Sequence, residues 1–256
     1  MCGRFVAFSS ADAIADRLGL QVISQGARLL PPNWNVAPTN SIRIIHGGFD
    51  GVDSASAASG LAQNDGETPA LGLAQNDGRN AENDGGLVLD IARWGLLPPW
   101  AKNGSGMINA RIETVTEKPA FAKAFKNRRC IVPVDGYYEW QKTSTGKQPW
   151  FITGGTQQLY FAGIYNANAD GSNTAILTMP TAPEIADIHH RMPVSFQPDA
   201  IEQWLLGSPA EAYALIDQAD QNFTKWMVGT AVNNVRNNGP QLIEPVNPTL
   251  SELFLF

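Results

Sequence analysis

Cys130-Ile131-Val132-Pro133-Val134-Asp135-Gly136-Tyr137-Tyr138-Glu139-Trp140-Gln141 runs five apolar residues into an Asp-Gly turn and then into an alternating aromatic stretch. Short apolar or β-branched runs bounded by Gly and Asp read as strands. The same pattern continues through Trp150–Thr153, Leu159–Tyr165 and Thr174–Thr178, separated by Thr145-Gly146, Gly154-Gly155 and Asp170-Gly171. This half of the chain therefore reads as a meander of mostly antiparallel strands. Side chains alternate along a strand, so Tyr137 and Glu139 share one face and Tyr138 and Trp140 the other. A carboxylate set among three aromatics makes a poor solvent face.

On the N-terminal side the helical signals are local. Ser10 can cap a helix through Leu18, with Gly19 as its stop, and Thr116 can cap one that carries Phe121 and Phe125. Ser41–Ile45 and Val88–Gly95 read as strands. Leu97-Pro98-Pro99-Trp100 reads as a rigid turn presenting an indole. Residues 47–86 hold nine Gly, one aromatic and two copies of Gly-Leu-Ala-Gln-Asn-Asp-Gly. That composition cannot bury enough apolar surface to offset ordering entropy, so 47–86 is expected to be a disordered insertion within one domain spanning 1–256. Towards the C-terminus, Thr181-Ala182-Pro183-Glu184 reads as a capping box opening a helix that ends near His189. Further helices are expected over Asp199–Leu206 and after the capping box at Ser208. The tail segments Lys225–Val228, Val232–Arg236 and Leu242–Val246 are expected to be edge strands or an extended wrap.

Composition narrows the function classes. The 256 residues are 43% hydrophobic, enough for a sizeable core, and no apolar run reaches membrane-spanning length. Without a secretory leader pattern the chain reads as cytoplasmic. Two cysteines, Cys2 and Cys130, make no disulfide framework and fit a reducing compartment; Cys130 lies in an apolar run and reads as core. No paired-cysteine or His-Glu-x-x-His spacing supports a metal site, and no cofactor motif is present. The net charge of -6 is unevenly spread. Residues 93–147 carry ten Lys or Arg against four acids, whereas 148–256 carry three against ten. A basic segment inside an acidic protein keeps a nucleic-acid partner in view.

Cys2 follows Met1 directly. Removal of the methionine would leave an amine and a thiol on one residue, with ordinary pKa values of roughly 8 and 8.5. Such a pair captures aldehydes: the amine forms an imine, and the thiol closes a five-membered ring on it at high effective concentration. The other reactive candidates are Asn109, Glu139 and His189, drawn from separate segments as in a site assembled by folding.

Met1-Cys2-Gly3-Arg4-Phe5, Asn35-Val36-Ala37-Pro38-Thr39, Trp94-Gly95-Leu96-Leu97-Pro98-Pro99-Trp100, Ile108-Asn109-Ala110-Arg111, Tyr138-Glu139-Trp140 and Ile188-His189-His190-Arg191-Met192-Pro193 together resemble the SOS-response-associated peptidase (SRAP) family of abasic-site sensors. The resemblance implies a single α+β domain with a β-barrel-like antiparallel core and flanking helices. It also implies a monomer that crosslinks itself through a thiazolidine to abasic sites in single-stranded DNA. By that resemblance Cys2 is the nucleophile and Asn109 holds its amine and the adduct. Glu139 is the acid that opens the sugar ring, and His189 shuttles protons. Arg4, Pro38, Trp100, Arg111, Trp140, Thr178 and Arg191 match DNA-contacting positions, with a structural salt bridge as the other reading for Arg111 and Arg191. His190 matches no catalytic position. A cysteine hydrolase and a non-catalytic single-strand-binding module are the two competing classes.

Overall fold

A computed structural model describes residues 2–48, 86–98, 100–101, 104–155, 157–168 and 171–246. Nearly all of the 47–86 insertion expected from composition, and Pro99 of the Leu97–Trp100 turn, lie outside the described residues. In chain order the strands are β1 Phe5–Ala7, β2 Val22–Ile23, β3 Asn33–Val36, β4 Ser41–Gly47, β5 Leu87–Trp94, β6 Asn109–Arg111, β7 Arg129–Val134, β8 Gly136–Thr143, β9 Gly146–Thr153, β10 Leu159–Asn168, β11 Gly171–Pro180, β12 Arg191–Pro193, β13 Ser195–Phe196 and β14 Thr224–Met227. The helices are α1 Ala11–Leu18, α2 Gln25–Leu29, α3 Ala122–Asn127, α4 Ile201–Leu206 and α5 Pro209–Ala214. The fold is α+β, as the resemblance implied.

Five strands close into a barrel in the order β7-β4-β5-β11-β10 and back to β7. An odd number of strands cannot alternate direction all the way round, so one neighbouring pair must be parallel. That pair is β5 with β11, where Arg93 meets Asn173 and Trp94 meets Thr174. Period-two alternation sorts the side chains. Ile42, Ile44, Ala92, Trp94, Cys130, Val132, Phe161 and Ile176 belong to one buried cluster, which fills the barrel. Their neighbours Ile45, Leu89, Ile131, Tyr160, Ala162 and Leu177 face outward and are covered by α1, α3, α4 and α5.

The second sheet runs β14-β9-β8-β1-β3. Phe5, Tyr137 and Ile152 turn one face of it towards the barrel cluster. Val6, Tyr138 and Phe151 turn the other towards Val228 and Val232 of the tail. The expected separation of Tyr137 from Tyr138 is thus observed. The meander, however, is broken. β8–β9 and β10–β11 are hairpins, but at Asp135-Gly136 and Gly154-Gly155 the chain passes from one sheet to the other. Asp135 is held at its corner by accepting from the Phe8 and Ser9 N–H groups at 2.7 and 2.9 Å, and a Cβ on Gly136 would fall 2.2 Å from the Phe151 ring. The glycine marks a close approach rather than a hairpin turn.

The caps at Ser10 and Ser208 form as expected, Ser208 with the full capping box. Three expectations need correction. The helix assigned to Thr116 begins only at Ala122, because Pro119 disfavours helical backbone at Lys118. The Thr181 capping box does not form: the Thr181 hydroxyl has no hydrogen-bond partner among the described residues, and only a short 3-10 turn, Pro183–Ile185, follows. In the tail, Thr224–Met227 pairs with β9, but Thr230–Asn233 and Pro240–Ile243 are 3-10 turns.

A Cβ at Gly163 would lie 2.8 Å from the Cys130 sulfur inside the barrel. Gly163→Ala should therefore lower the unfolding free energy by about 1–3 kcal/mol, and adding Cys130→Ala should restore most of it in denaturant titrations. β4 and β5 pair antiparallel from Ser41–Arg93 to Gly47–Leu87, and the Gly48 N–H donates to the Gly86 carbonyl at 3.0 Å. Replacing residues 49–85 by a short turn should leave the thermal unfolding midpoint within a few degrees of wild type.

Candidate active site

Cys2 precedes β1 and is fully buried at the junction of the barrel cluster and the second sheet. Three separate elements reach it. β6 lies parallel to β11, with Asn109 opposite Ile176, and the Trp94 indole fixes its approach by donating to the Ile108 carbonyl at 2.9 Å. From that position the Asn109 amide nitrogen donates to the Cys2 carbonyl at 2.8 Å. The Asn109 side-chain oxygen is buried and has no hydrogen-bond partner among the described residues. β8 brings Glu139, which is 4% exposed, on the same face as Tyr137. Burial pushes the Cys2 thiol well above its ordinary pKa, and the Glu139 charge adds to the shift. The resting group is therefore a neutral thiol.

His189 sits in the loop between β11 and β12, anchored by buried Ile185 and Ile188. Its Nδ1 lies 3.0 Å from the Arg191 N–H and 3.1 Å from the Arg191 carbonyl. The backbone of one residue thus offers this nitrogen a donor when it is bare and an acceptor when it is protonated. Burial lowers the His189 pKa, and Glu139 opposes that shift. The His190 ring stacks on His189 with centroids 4.4 Å apart. Asn109 is thereby joined to Cys2 by a hydrogen bond, and the Glu139 charge acts on both Cys2 and His189.

The DNA-contacting candidates divide into two groups. Trp100 is 65% exposed, Arg111 is exposed on β6, and Arg4, Pro38 and Trp140 are half-buried. The Arg4 guanidinium lies 5.9 Å from the Trp140 ring and donates to Asn35 at 2.8 Å. Thr178 and Arg191 are internal. Thr178 is fully buried and donates to the Ala110 carbonyl at 3.3 Å. Arg191 is 7% exposed and forks onto both carboxylate oxygens of Glu113 at 2.7 and 2.9 Å, and it also donates to the Thr178 carbonyl at 2.6 Å. The salt-bridge reading thus describes Arg191 as it stands. The basic segment is dispersed in the same way. Arg129 is buried on the carbonyls of Trp204 and Phe125, Arg93 holds those of Gly104 and Ser105, and Lys123 and Lys126 ride on the outer helix α3.

Two contributors carried no sequence signal for their role. Glu113 is an ordinary acid until Arg191, 78 positions away, meets it. Asn35 stood out only as part of a motif, yet it is 2% exposed and bonds both Arg4 and the C-terminal tail.

A thiol at the second residue, buried beside the Glu139 carboxylate and with its carbonyl held by Asn109, is a candidate reactive centre on an α+β barrel. The chain belongs to the SOS response associated peptidase (SRAP) family, whose model matches residues 1–235. It is 34% identical over 260 aligned positions to the abasic site processing protein YoqW of Bacillus subtilis, covering 95% of this chain and 99% of that one. It is 32% identical over 176 positions to the abasic site processing protein YedK of Escherichia coli, covering 65% and 79%. A crystal structure of a protein from Bacteroides thetaiotaomicron shares the fold, with a TM-score of 0.70 at 21% identity over 96% of this chain and 100% of that one.

The Arg191–Glu113 pair has a pH signature. Its hydrogen bond with Arg191 holds the Glu113 carboxyl below its ordinary value. A depressed folded pKa stabilises above the unfolded value, roughly 4.3, and the gain is lost as pH falls through the folded pKa. Arg191→Ala should cost about 2 kcal/mol near neutral pH, and the gap from wild type should narrow below about pH 4 in unfolding titrations.

Proposed function

We propose that this protein captures abasic sites in single-stranded DNA as a thiazolidine on Cys2 after Met1 has been removed. The observation that carries this reading is the meeting of Asn109 and Glu139 at the second residue of the chain, with His189 within the influence of Glu139, and it is supported by relatives named for abasic site processing. While Met1 is attached, the Cys2 nitrogen is a peptide nitrogen and not nucleophilic. Once freed, it becomes an amine beside Asn109, whose side-chain oxygen is open to accept from it.

The chemistry follows from the groups present. Glu139 donates a proton to the sugar oxygen as the abasic deoxyribose opens to its aldehyde. The amine adds to the aldehyde carbon, and loss of water leaves an imine, with His189 moving the protons. The thiol then adds across the C=N bond, its proton passing to nitrogen, so that sulfur and nitrogen end on the former carbonyl carbon. That step can start from the neutral thiol, because the imine nitrogen takes the proton as the C–S bond forms, so no standing thiolate is required. A cysteine hydrolase requires a thiolate, and burial beside a carboxylate works against one. The exposed Trp100 and Arg111, with Arg4 and Trp140, supply stacking and phosphate contacts for the strand.

Incubation with an abasic single-stranded oligonucleotide, read on a denaturing gel, tests the reading. Wild-type protein should show an intact mass lacking Met1 and should form a stable adduct. Cys2→Ala should form none, and Glu139→Gln should crosslink roughly 100-fold more slowly. Crosslinking by protein that retains Met1 would refute the thiazolidine route. A wild-type rate in Glu139→Gln would remove the acid role. Cys2-dependent turnover of amides without any adduct would point to a hydrolase instead.

A further inference from the structure

Asn35, buried on β3, is a junction between the two ends of the chain. Its Oδ1 accepts from Arg4 at 2.8 Å, and its Nδ2 donates to the carbonyls of Asn234 and Asn237 at 3.0 and 2.9 Å. Arg4 also donates to the Val232 carbonyl at 3.1 Å, and the Trp140 indole donates to the Asn233 side chain at 2.7 Å. Asn238 accepts from the Trp34 N–H at 2.8 Å. Residues 230–238 are therefore fastened as a strap beside Arg4 and Trp140 through both backbone and side-chain bonds. Within the strap the Asn237 side chain donates to the Ala231 carbonyl at 2.8 Å, and the Asn234 side chain accepts from the Arg236 N–H at 3.1 Å, so the turn is rigid in itself.

Arg236 projects from this turn. It is exposed, and its guanidinium makes no hydrogen bond or ion pair among the described residues. The C-terminal segment is acidic as a whole, yet residues 221–243 carry Lys225 and Arg236 and no carboxylate. Nearby Arg4 already has Nη1 committed to Asn35 and Val232, and Arg191 is committed to Glu113. A buried asparagine that spends its amide on holding a turn, with an uncommitted arginine on that turn, is an arrangement for presenting a cation at a set place.

We infer that the 230–238 strap is part of the strand-binding surface and that Arg236 pairs with a phosphate of the single strand, next to the Arg4–Trp140 contact. The inference rests on the proposed function and extends it by one residue and one element. Arginine suits this task because its fork matches phosphate oxygens.

Fluorescence anisotropy with a labelled, undamaged single-stranded oligonucleotide over a salt series tests it. Losing one phosphate contact should reduce the slope of log affinity against log salt by about 0.7. Arg236→Gln should show that reduction and bind about 3–10-fold more weakly at low salt. Lys126→Gln, which removes the same charge from α3, should keep the wild-type slope. An unchanged slope in Arg236→Gln, or an equal loss in Lys126→Gln, overturns the assignment of Arg236. A wild-type protein that binds no single strand overturns this inference and the proposed function together, whereas strand binding with an unaltered Arg236→Gln slope overturns the strap alone.

Discussion

Trp94 pairs with Thr174 in the parallel seam of the barrel, donates its indole N–H to the Ile108 carbonyl, and packs its ring 4.9 Å from that of Phe5. The Thr39 N–H also donates to the Trp94 carbonyl at 2.8 Å. The seam is the one place where a five-stranded ring cannot follow its antiparallel pattern. The residue there holds closure, the approach of Asn109 and the strand behind Cys2 in a single fully buried side chain. Burying an aromatic of this size ranks among the larger single contributions to a core. Its polar atom is satisfied, so little of that contribution is given back.

The site has the opposite economy. A thiol and an imidazole are placed where burial disfavours the charged form of each, and the Glu139 charge acts on both, against the Cys2 thiolate and in favour of the His189 imidazolium. Such conflicts persist only when the surroundings over-determine the geometry. Here the surroundings are the barrel on one side and a two-faced sheet on the other. Arg191, whose side chain holds Glu113 and the Thr178 carbonyl, fixes the backbone groups on which the His189 ring rests.

Much of this was legible in the chain because strands announce themselves by alternation. β7 to β11 were all visible, as was the split between Tyr137 and Tyr138. What alternation does not carry is partnership. Asp135-Gly136 has the composition of a hairpin turn, and only the Phe151 ring beyond Gly136 makes it a passage between sheets. Thr116 and Thr181 looked like caps, but Pro119 interrupts the first and a compact turn replaces the helix at the second. The candidate reactive residues could be listed from the sequence, since their chemistry belongs to residue type. Whether an arginine faces solvent or a carboxylate cannot be read that way. Arg111 and Arg191 occupy similar motif positions, and the first is exposed while the second is buried on Glu113.

The burial of Cys2 has a consequence for the order of events during synthesis. An aminopeptidase must grip an extended, accessible N-terminus, and in the folded protein with Met1 still attached Cys2 exposes no surface. The removal of Met1 proposed here therefore belongs to the nascent chain. At roughly 5–20 residues per second, Cys2 leads His189 out of the ribosome by on the order of 10–40 s. During that interval the aminothiol would be free but without Glu139 or His189, and the strap that fastens Arg4 is made later still. On the proposed chemistry the chain would acquire its reactive end first and the groups that control it last.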